Sequence, residues 1–286
     1  MKVEKKIIIA GIRILLESEE ELLLSKRCEA FEKNFDKQDI LMHICCTDRL
    51  IKKGYETVYI KDNYSILKNR DTMLKIKYAD KEKTNICWCL CWNVDKKDKY
   101  TLQIFPYWKA ELKSLNPLFF FELSNFLIDY NAMILHSSLV DFSGNGIVFT
   151  APSGTGKSTQ ADLWKKFKGA EILNGDRTII RKNANYEAYG SPYAGSSGIY
   201  KNKFVNLKAI VVLRQADENR IQRLRVKEAY MYLLSELSIC SWNKDVLSEQ
   251  TSWILKLLET IPVYRLDCRP NEASVELLYN ELGFGE

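Results

Sequence analysis

The 286-residue chain contains no run approaching the ~18 uninterrupted apolar residues of a membrane-spanning helix, which argues against a membrane protein. It also lacks low-complexity tracts and any collagen-like or coiled-coil bias, so a globular fold is expected. No dense basic stripe and no known nucleic-acid motif is present, which argues against a nucleic-acid partner. The start, "KKIIIAGIRILLESEEE", has basic residues before an apolar run, but Arg13 interrupts the run and no small-residue cleavage site follows. Export is therefore not expected, and the eight cysteines are expected to be reduced thiols of a cytoplasmic protein. Histidine is scarce: His43 and His136 are the only two, and neither lies near the cysteine-rich "ICWCLCW". That stretch also lacks the CxxC spacing usual in zinc sites. Its alternation puts Ile86, Trp88, Leu90 and Trp92 on one strand face and Cys87, Cys89 and Cys91 on the other. Small buried hydrophobes explain these thiols better than the alternative, a metal site.

The length suits one large domain or two ordinary ones, and 46% hydrophobic with 28% charged residues is the composition of a soluble globular protein. Residues 1–118 carry 23 Lys and Arg against 18 Asp and Glu, whereas the remainder carries 19 of each. The positive excess thus sits in the first part of the chain. "IIIAGIRILL" reads as a strand and "EELLLSKRCEAFEKNF" as a helix grouping Leu22, Leu23, Phe31 and Phe35. "YETVYI", "MLKIKYA", "NICWCLCWNV" and "YTLQIFPYW" read as β-strands between polar turns. These describe a small β-rich α+β domain over residues 1–116. Pro117 then opens "PLFFFELSNFLIDY", expected as a helix with proline in its first turn, and a second domain over 117–286. Within it, "AMILHSSLVDF" and "GIVFTA" are strands joined by the tight turn "SGNG".

The second strand runs into "TAPSGTGKST". This matches GxxxxGK[ST] at Gly156, Lys157 and Ser158, with Ala151 where the first glycine usually stands. An alanine there needs negative φ but leaves the backbone amides available. Gly154 and Gly156 allow the chain to curl so that the N–H groups of Ser153 through Thr159 point at a phosphate, at the positive end of the helix "KSTQADLWKKF". In such a Walker A loop Lys157 contacts the β and γ phosphates of ATP and the Ser158 hydroxyl ligates Mg²⁺. A chance glycine-rich turn is the alternative, but the preceding strand, the following helix and its closing Gly169 favour the loop. The next strand, "AEILNGD", brings Asp176 to its end, within reach of the same metal.

From "LHSSLVDFSGNGIVFTAPSGTGKS" to "LNGD" the sequence resembles the HPr kinase/phosphorylase family, whose nucleotide-binding core is similar to that of ATP-dependent phosphoenolpyruvate carboxykinases. "GSSGIYKN" and "KAIVVLRQADENRIQRL" also look like HPr-kinase-related proteins often encoded beside peptide-modification genes. The resemblance covers about half the chain and implies an α/β, P-loop kinase domain of the HPr kinase type. It implies transfer of a phosphoryl group from a nucleotide to a serine hydroxyl of a protein or peptide, and homo-oligomers. His136 corresponds to the family's active-site histidine, Lys157 and Ser158 to its phosphate and metal contacts, and Asp176 to the second of two adjacent aspartates. The first, which serves as general base in the family, is Gly175 here.

The departure at Gly175 leaves the proton acceptor open. The order of candidates is Asp176, then His136, because imidazole exchanges protons near neutral pH, then Asp141. Each has a structural alternative: His136 a satisfied strand residue, Asp141 a strand terminator. Arg177 is read equally as an ion pair or a phosphate contact. Lys201, Lys203 and Arg214 are further candidates for phosphate or nucleotide contacts, the lysines standing in an expected surface segment, "YEAYGSPYAGSSGIYKNK". Leu247, Trp253, Ile254 and Leu257 are expected in the core. The leading expectation is an ATP- and Mg²⁺-dependent serine kinase whose first domain recruits the acceptor. The alternatives are a nucleotide-binding regulatory or scaffold protein without transferase activity and a small-molecule kinase. A carboxykinase is disfavoured, since its arginines and metal ligands are not visible.

Overall fold

A computed structural model describes residues 2–285. The chain divides into two compact units, one running to Glu122 and the other starting at Leu123. This is later than the boundary read before Pro117, and the aromatic run shows why. Phe119 and Phe120 pack edge-on against Trp88, and Phe121 packs edge-on against Tyr100. Such ring pairs add to the area they bury.

The first unit is an eight-stranded sheet in the order β1-β2-β3-β8-β7-β6-β5-β4. Its strands are β1 (Val3–Ile9), β2 (Ile12–Ser18), β3 (Ile40–Cys46), β4 (Glu56–Lys61), β5 (Tyr64–Lys68), β6 (Thr72–Tyr78), β7 (Ile86–Asn93) and β8 (Lys99–Ile104), with a four-residue helix α1 (Lys26–Glu29). Strand β3 runs parallel to both β2 and β8, and the other neighbours are antiparallel. The run read as one strand is a hairpin. Ala10 and Gly11 both take positive φ, 51° and 74°, so Ile9 pairs Ile12 across a two-residue turn. Only glycine takes that geometry without strain, so the alanine hid the turn. The expected helix over residues 20–35 shrinks to α1, because Leu23 and Ser25 spend their amides on the carbonyls of Leu112 and Leu115. In β7, Cys89 is buried with Leu74, Ile76 and Tyr78. Burial pushes its thiol well above the ordinary range. Among the described residues no group of three or more His, Cys, Asp or Glu side chains gathers as a metal site.

The segment from Pro117, which runs across the boundary of the two units, is broken. Pro117–Phe119 and Leu127–Tyr130 are single 3₁₀ turns and α2 (Leu123–Phe126) a single α-turn, in place of the continuous helix expected from Pro117. A central sheet follows, built from β9 (Ala132–Phe142), β10 (Asn145–Thr150), β11 (Glu171–Asn174), β12 (Arg177–Lys182), β13 (Tyr186–Tyr189), β14 (Phe204–Gln215), β15 (Arg220–Arg223) and β16 (Val263–Cys268). Its helices are α3 (Lys157–Lys168), α4 (Val226–Glu236), α5 (Lys244–Thr260) and α6 (Glu272–Glu281). Strand order is β10-β9-β12-β13-β14-β16-β15, with β11 on β9 and a parallel β10–β14 pairing.

Strands β10 and β14 are apolar on both faces because helices cover both. Val148, Ile210 and Val212 pack with Leu233 of α4 and Trp253, Ile254 and Leu257 of α5. Ile147, Phe149, Val211 and Leu213 turn the other way, against Ala161 and Trp164 of α3 and Val275 and Leu278 of α6. Full burial of each such side chain contributes roughly 1.5–3 kcal/mol, which fixes α3 and α4 on opposite sides of the strand end that carries the loop. Leu247 does not join them and is 36% exposed. Asn243 and Asn271 cap α5 and α6. Among the described residues no helix is long and apolar enough to cross a membrane.

Candidate functional site

Strand β10 ends at Thr150, and α3 begins at Lys157 with Gly156 as its N-cap. Gly156 has φ 113° and Gly154 φ 80°, so the two glycines supply the left-handed backbone that bends the connection. A Cβ at either would meet nothing within 4 Å, so their small size is required by backbone conformation, not by crowding. Ala151 is not among the residues of positive φ and sits buried against Trp164, so alanine is accommodated where the pattern has glycine. Gln160 N donates to Gly156 O at 2.9 Å, closing the first helical turn. At the other end, Gly169 takes φ 68° and its N–H donates to Lys165 O. That arrangement ends the helix sharply.

The loop and its neighbours enclose a cavity of about 250 Å³ lined by His136, Ser153, Gly154, Gly156, Lys157, Ser158, Thr159, Gly175, Asp176 and Ser196. Four sequence candidates, His136, Lys157, Ser158 and Asp176, therefore border one space. Thr155 lies on the other side of the loop, on a second cavity of about 660 Å³ shared with Val212, Arg214, Gln215, Tyr232, Glu236 and Arg265. Gln215 reaches back to the loop, its Nε2 donating to Thr155 O at 3.3 Å.

Lys157 is 7% exposed, and its Nζ donates to Ala151 O at 2.7 Å and Pro152 O at 3.2 Å. Burial lowers its pKa from the ordinary lysine value, while the charges of Glu236 and Asp176 act in the opposite direction. An ammonium held among carbonyls in a half-dry loop interacts strongly with any anion that enters.

Asp176 is aimed by a turn that the sequence showed only as "LNGD". Asn174 is fully buried, and its Oδ1 accepts from the backbone N–H of Asp176 at 3.0 Å and of Arg177 at 2.7 Å. Its Nδ2 donates to Ser191 O at 3.0 Å and Tyr193 O at 2.9 Å. The amide thus ties the turn to the segment after β13. That segment, expected at the surface, is buried at Ser191, Pro192 and Ala194 and exposed at Gly195, Ser196, Gly198, Asn202 and Lys203. Gly175 is pressed by it as well. A Cβ on Gly175 would stand 1.7 Å from Ser197 Oγ and 2.7 Å from Ser197 Cβ. No acid fits there while Ser197 keeps its place, so the glycine faces a filled space.

His136 lies on β9 directly opposite Arg177. Its Nε2 is 3.8 Å from Asp176 Oδ1, and its Nδ1 is 3.1 Å from Glu236 Oε2 at the end of α4. Arg177 Nε is 3.7 Å from the other Asp176 oxygen, and its guanidinium lies over Tyr193. Glu236 escaped the sequence reading because it stands 100 positions from its partner. An acid in the last helical turn was the one available signal, since it opposes the helix dipole.

Other candidates lie elsewhere. Asp141 caps the hairpin turn at the far end of β9, its Oδ1 accepting from Gly144 N at 2.9 Å. Lys201 and Lys203 are both taken by Glu171, at 2.7 and 2.9 Å. Arg214 pairs with Asp267 at 2.6 Å and borders the larger cavity.

The chain was compared with known proteins. No curated protein matches it. Among solved structures, the Hpr(Ser) kinase/phosphatase from Coxiella burnetii matches with 11% identity and a TM-score of 0.30, over 52% of this chain and 95% of that one. The family model for the SynChlorMet cassette protein ScmC matches residues 121–271. That span takes in the loop, the Asn174–Asp176 turn, His136 and Glu236, and since it is just over half of the sequence, the chain belongs to the ScmC family.

Proposed function

We propose that the unit beginning at Leu123 is an ATP- and Mg²⁺-dependent kinase that transfers the γ-phosphoryl group to a hydroxyl, namely a serine of a protein or peptide. The observation that carries this reading is the meeting of Lys157, Ser158, His136 and Asp176 on one small cavity at the N-terminus of a 12-residue helix. Helix N-termini and left-handed glycine turns bind anions through backbone N–H groups. The hydroxyl of Ser158 and the carboxylate of Asp176 are hard oxygen donors, a set that fits Mg²⁺, which keeps several waters and takes few protein ligands. When bound, the ion neutralises charge on the phosphates.

The chain's own groups divide the remaining work. Lys157 holds the β and γ phosphates. As the acceptor oxygen bonds to phosphorus, the bond to the bridging oxygen breaks and its electrons leave with ADP. The hydroxyl proton passes to the Asp176 carboxylate, or to His136 Nε2, the ring nitrogen turned towards it. Phosphoryl transfer has a loose transition state, so positioning and charge account for most of the acceleration, and the missing acid at Gly175 does not forbid it. In this reading the unit ending at Glu122, which carries the positive excess, recruits the acceptor.

A second reading, a nucleotide-binding scaffold without transfer, is favoured by the filled space beside Gly175. The purified chain with γ-labelled ATP, Mg²⁺ and serine-containing peptides separates the two. The kinase reading expects label on peptide, loss of ATP binding and transfer in Lys157→Ala, and loss of transfer with residual binding in Asp176→Asn. Nucleotide binding with no label on any peptide or small-molecule acceptor selects the scaffold, and transfer surviving in Asp176→Asn overturns the role of that carboxylate.

A further inference from the structure

We infer that Glu236 is a positioning residue that fixes which nitrogen of His136 faces the phosphate cavity. A neutral imidazole carries its proton on either nitrogen, and the hydrogen bond made by one decides the state of the other. Here Nδ1 is 3.1 Å from the Glu236 carboxylate, which can only accept when ionised, so the proton sits on Nδ1. That leaves Nε2, 3.8 Å from Asp176 Oδ1 and on the small cavity, as the nitrogen with a free lone pair.

Three observations show that this contact is built into the fold. The residue after Glu236 is anchored beside His136: Leu237 bridges Leu135, and Ser238 N donates to Ile134 O at 3.1 Å. The end of α4 is therefore tied to the strand that carries the imidazole. The Glu236 side chain is only 11% exposed, so it is held rather than swinging in solvent. Finally, a carboxylate on the last residue of a helix faces the negative end of the macrodipole, an arrangement that a hydrogen-bond donor beside it offsets. Lys157 also feels the charge of Glu236, so the carboxylate sits within the field of the phosphate cavity, although it lines the larger cavity on the other side of the loop.

The catalytic consequence rests on the phosphotransfer reading, but the tautomer does not. The chain has only two histidines, so ¹⁵N-correlated spectra of the full protein, recorded where both rings are neutral, resolve His136 once His43→Gln has assigned the other signal. The expected spectrum has a protonated Nδ1 and a bare Nε2 for His136. Glu236→Ala should move the ring towards the Nε2–H form that free histidine prefers. Glu236→Gln, whose amide oxygen still accepts, should keep the Nδ1–H form and shows that the effect is not a loss of fold. With label transfer as the second readout, Glu236→Ala should lower kcat about 10²-fold while leaving KM for ATP nearly unchanged, and Glu236→Gln should recover much of it. An Nε2–H ring in the wild type, or a tautomer indifferent to Glu236→Ala, overturns the inference. An Nδ1–H ring that responds as expected, in a protein that transfers no label, leaves the placement standing and sinks the kinase reading instead.

Discussion

Replacing Gly175 by alanine tests whether the turn before Asp176 is closed by packing. The added methyl would lie 1.7 Å from Ser197 Oγ and 2.7 Å from Ser197 Cβ, whereas the next atom, Ala194 O, is at an ordinary 3.5 Å. The serine cannot swing away freely, because its Oγ donates to Ala194 O at 2.8 Å and accepts from Ile199 N at 3.2 Å. Overpacking a filled site costs about 1–3 kcal/mol, and breaking the serine's hydrogen bonds adds about 1 kcal/mol. For a unit of this size each kcal/mol lowers Tm by roughly 2–4 °C, so Gly175→Ala should lower the thermal midpoint by roughly 4–16 °C. Ser197→Gly removes both clashing atoms. Alone it loses only the hydrogen bonds, about 1 kcal/mol, and combined with Gly175→Ala it should restore most of the lost stability. The double-mutant cycle should therefore show a favourable coupling of about 2–4 kcal/mol. Calorimetry of the four proteins supplies the cycle. Additive single-mutant effects, or a Gly175→Ala midpoint equal to wild type, would refute the packing argument and reopen the site to an acidic residue.

Further perturbations address the neighbouring groups. Lys157→Met should gain stability relative to wild type at neutral pH beyond what its lost hydrogen bonds predict at high pH. Burial depresses the lysine's pKa, so the charged form is penalised below its folded value, and wild type recovers as pH rises from there towards the ordinary lysine value. The difference in Tm between the two proteins should shift in favour of wild type over that rise, and a pH-independent difference contradicts the burial argument. Asn174→Ala strands the amides of Asp176 and Arg177 and should cost about 1–3 kcal/mol, with faster hydrogen exchange at those two amides as its signature.

Local signals carried the parts of the site that lie close in sequence. The apolar run "IVFT", the two glycines and the polar helix start are contiguous, so loop and α3 follow from local rules. The misses share one cause: a residue whose state is set by a distant partner. The Ala10–Gly11 hairpin is forced by the β1–β2 register, despite an alanine at φ 51°. The segment from Pro117 breaks into turns because its phenylalanines answer to Trp88 and Tyr100. Lys201 and Lys203 look like free cations until Glu171 is placed beside them, 30 and 32 positions earlier. Glu236 and Ser197 are invisible for the same reason, since only folding brings them to His136 and Gly175.

The charges around the small cavity explain why these particular residues are held so firmly. Lys157 and Arg177 stand against Asp176 and Glu236, so the groups nearest the loop nearly cancel before any ligand arrives. In the proposed kinase a nucleoside triphosphate would add several negative charges to that balance, and with Arg177 already paired to Asp176 the loop amides and one lysine would have to carry them. Like charges in a site of reduced dielectric repel by several kcal/mol, so Asp176 would oppose the triphosphate if it acted alone. A divalent cation held by Asp176 and Ser158 would turn that repulsion into attraction. In that proposal the carboxylate that would resist the bare ligand would retain the metal-bound one, so metal dependence is expected in binding as well as in transfer. On this view the Asn174 clamp and the Ser197 wedge serve one end: they hold Asp176 at the cavity although, with no ligand bound, its charge would be better placed in water.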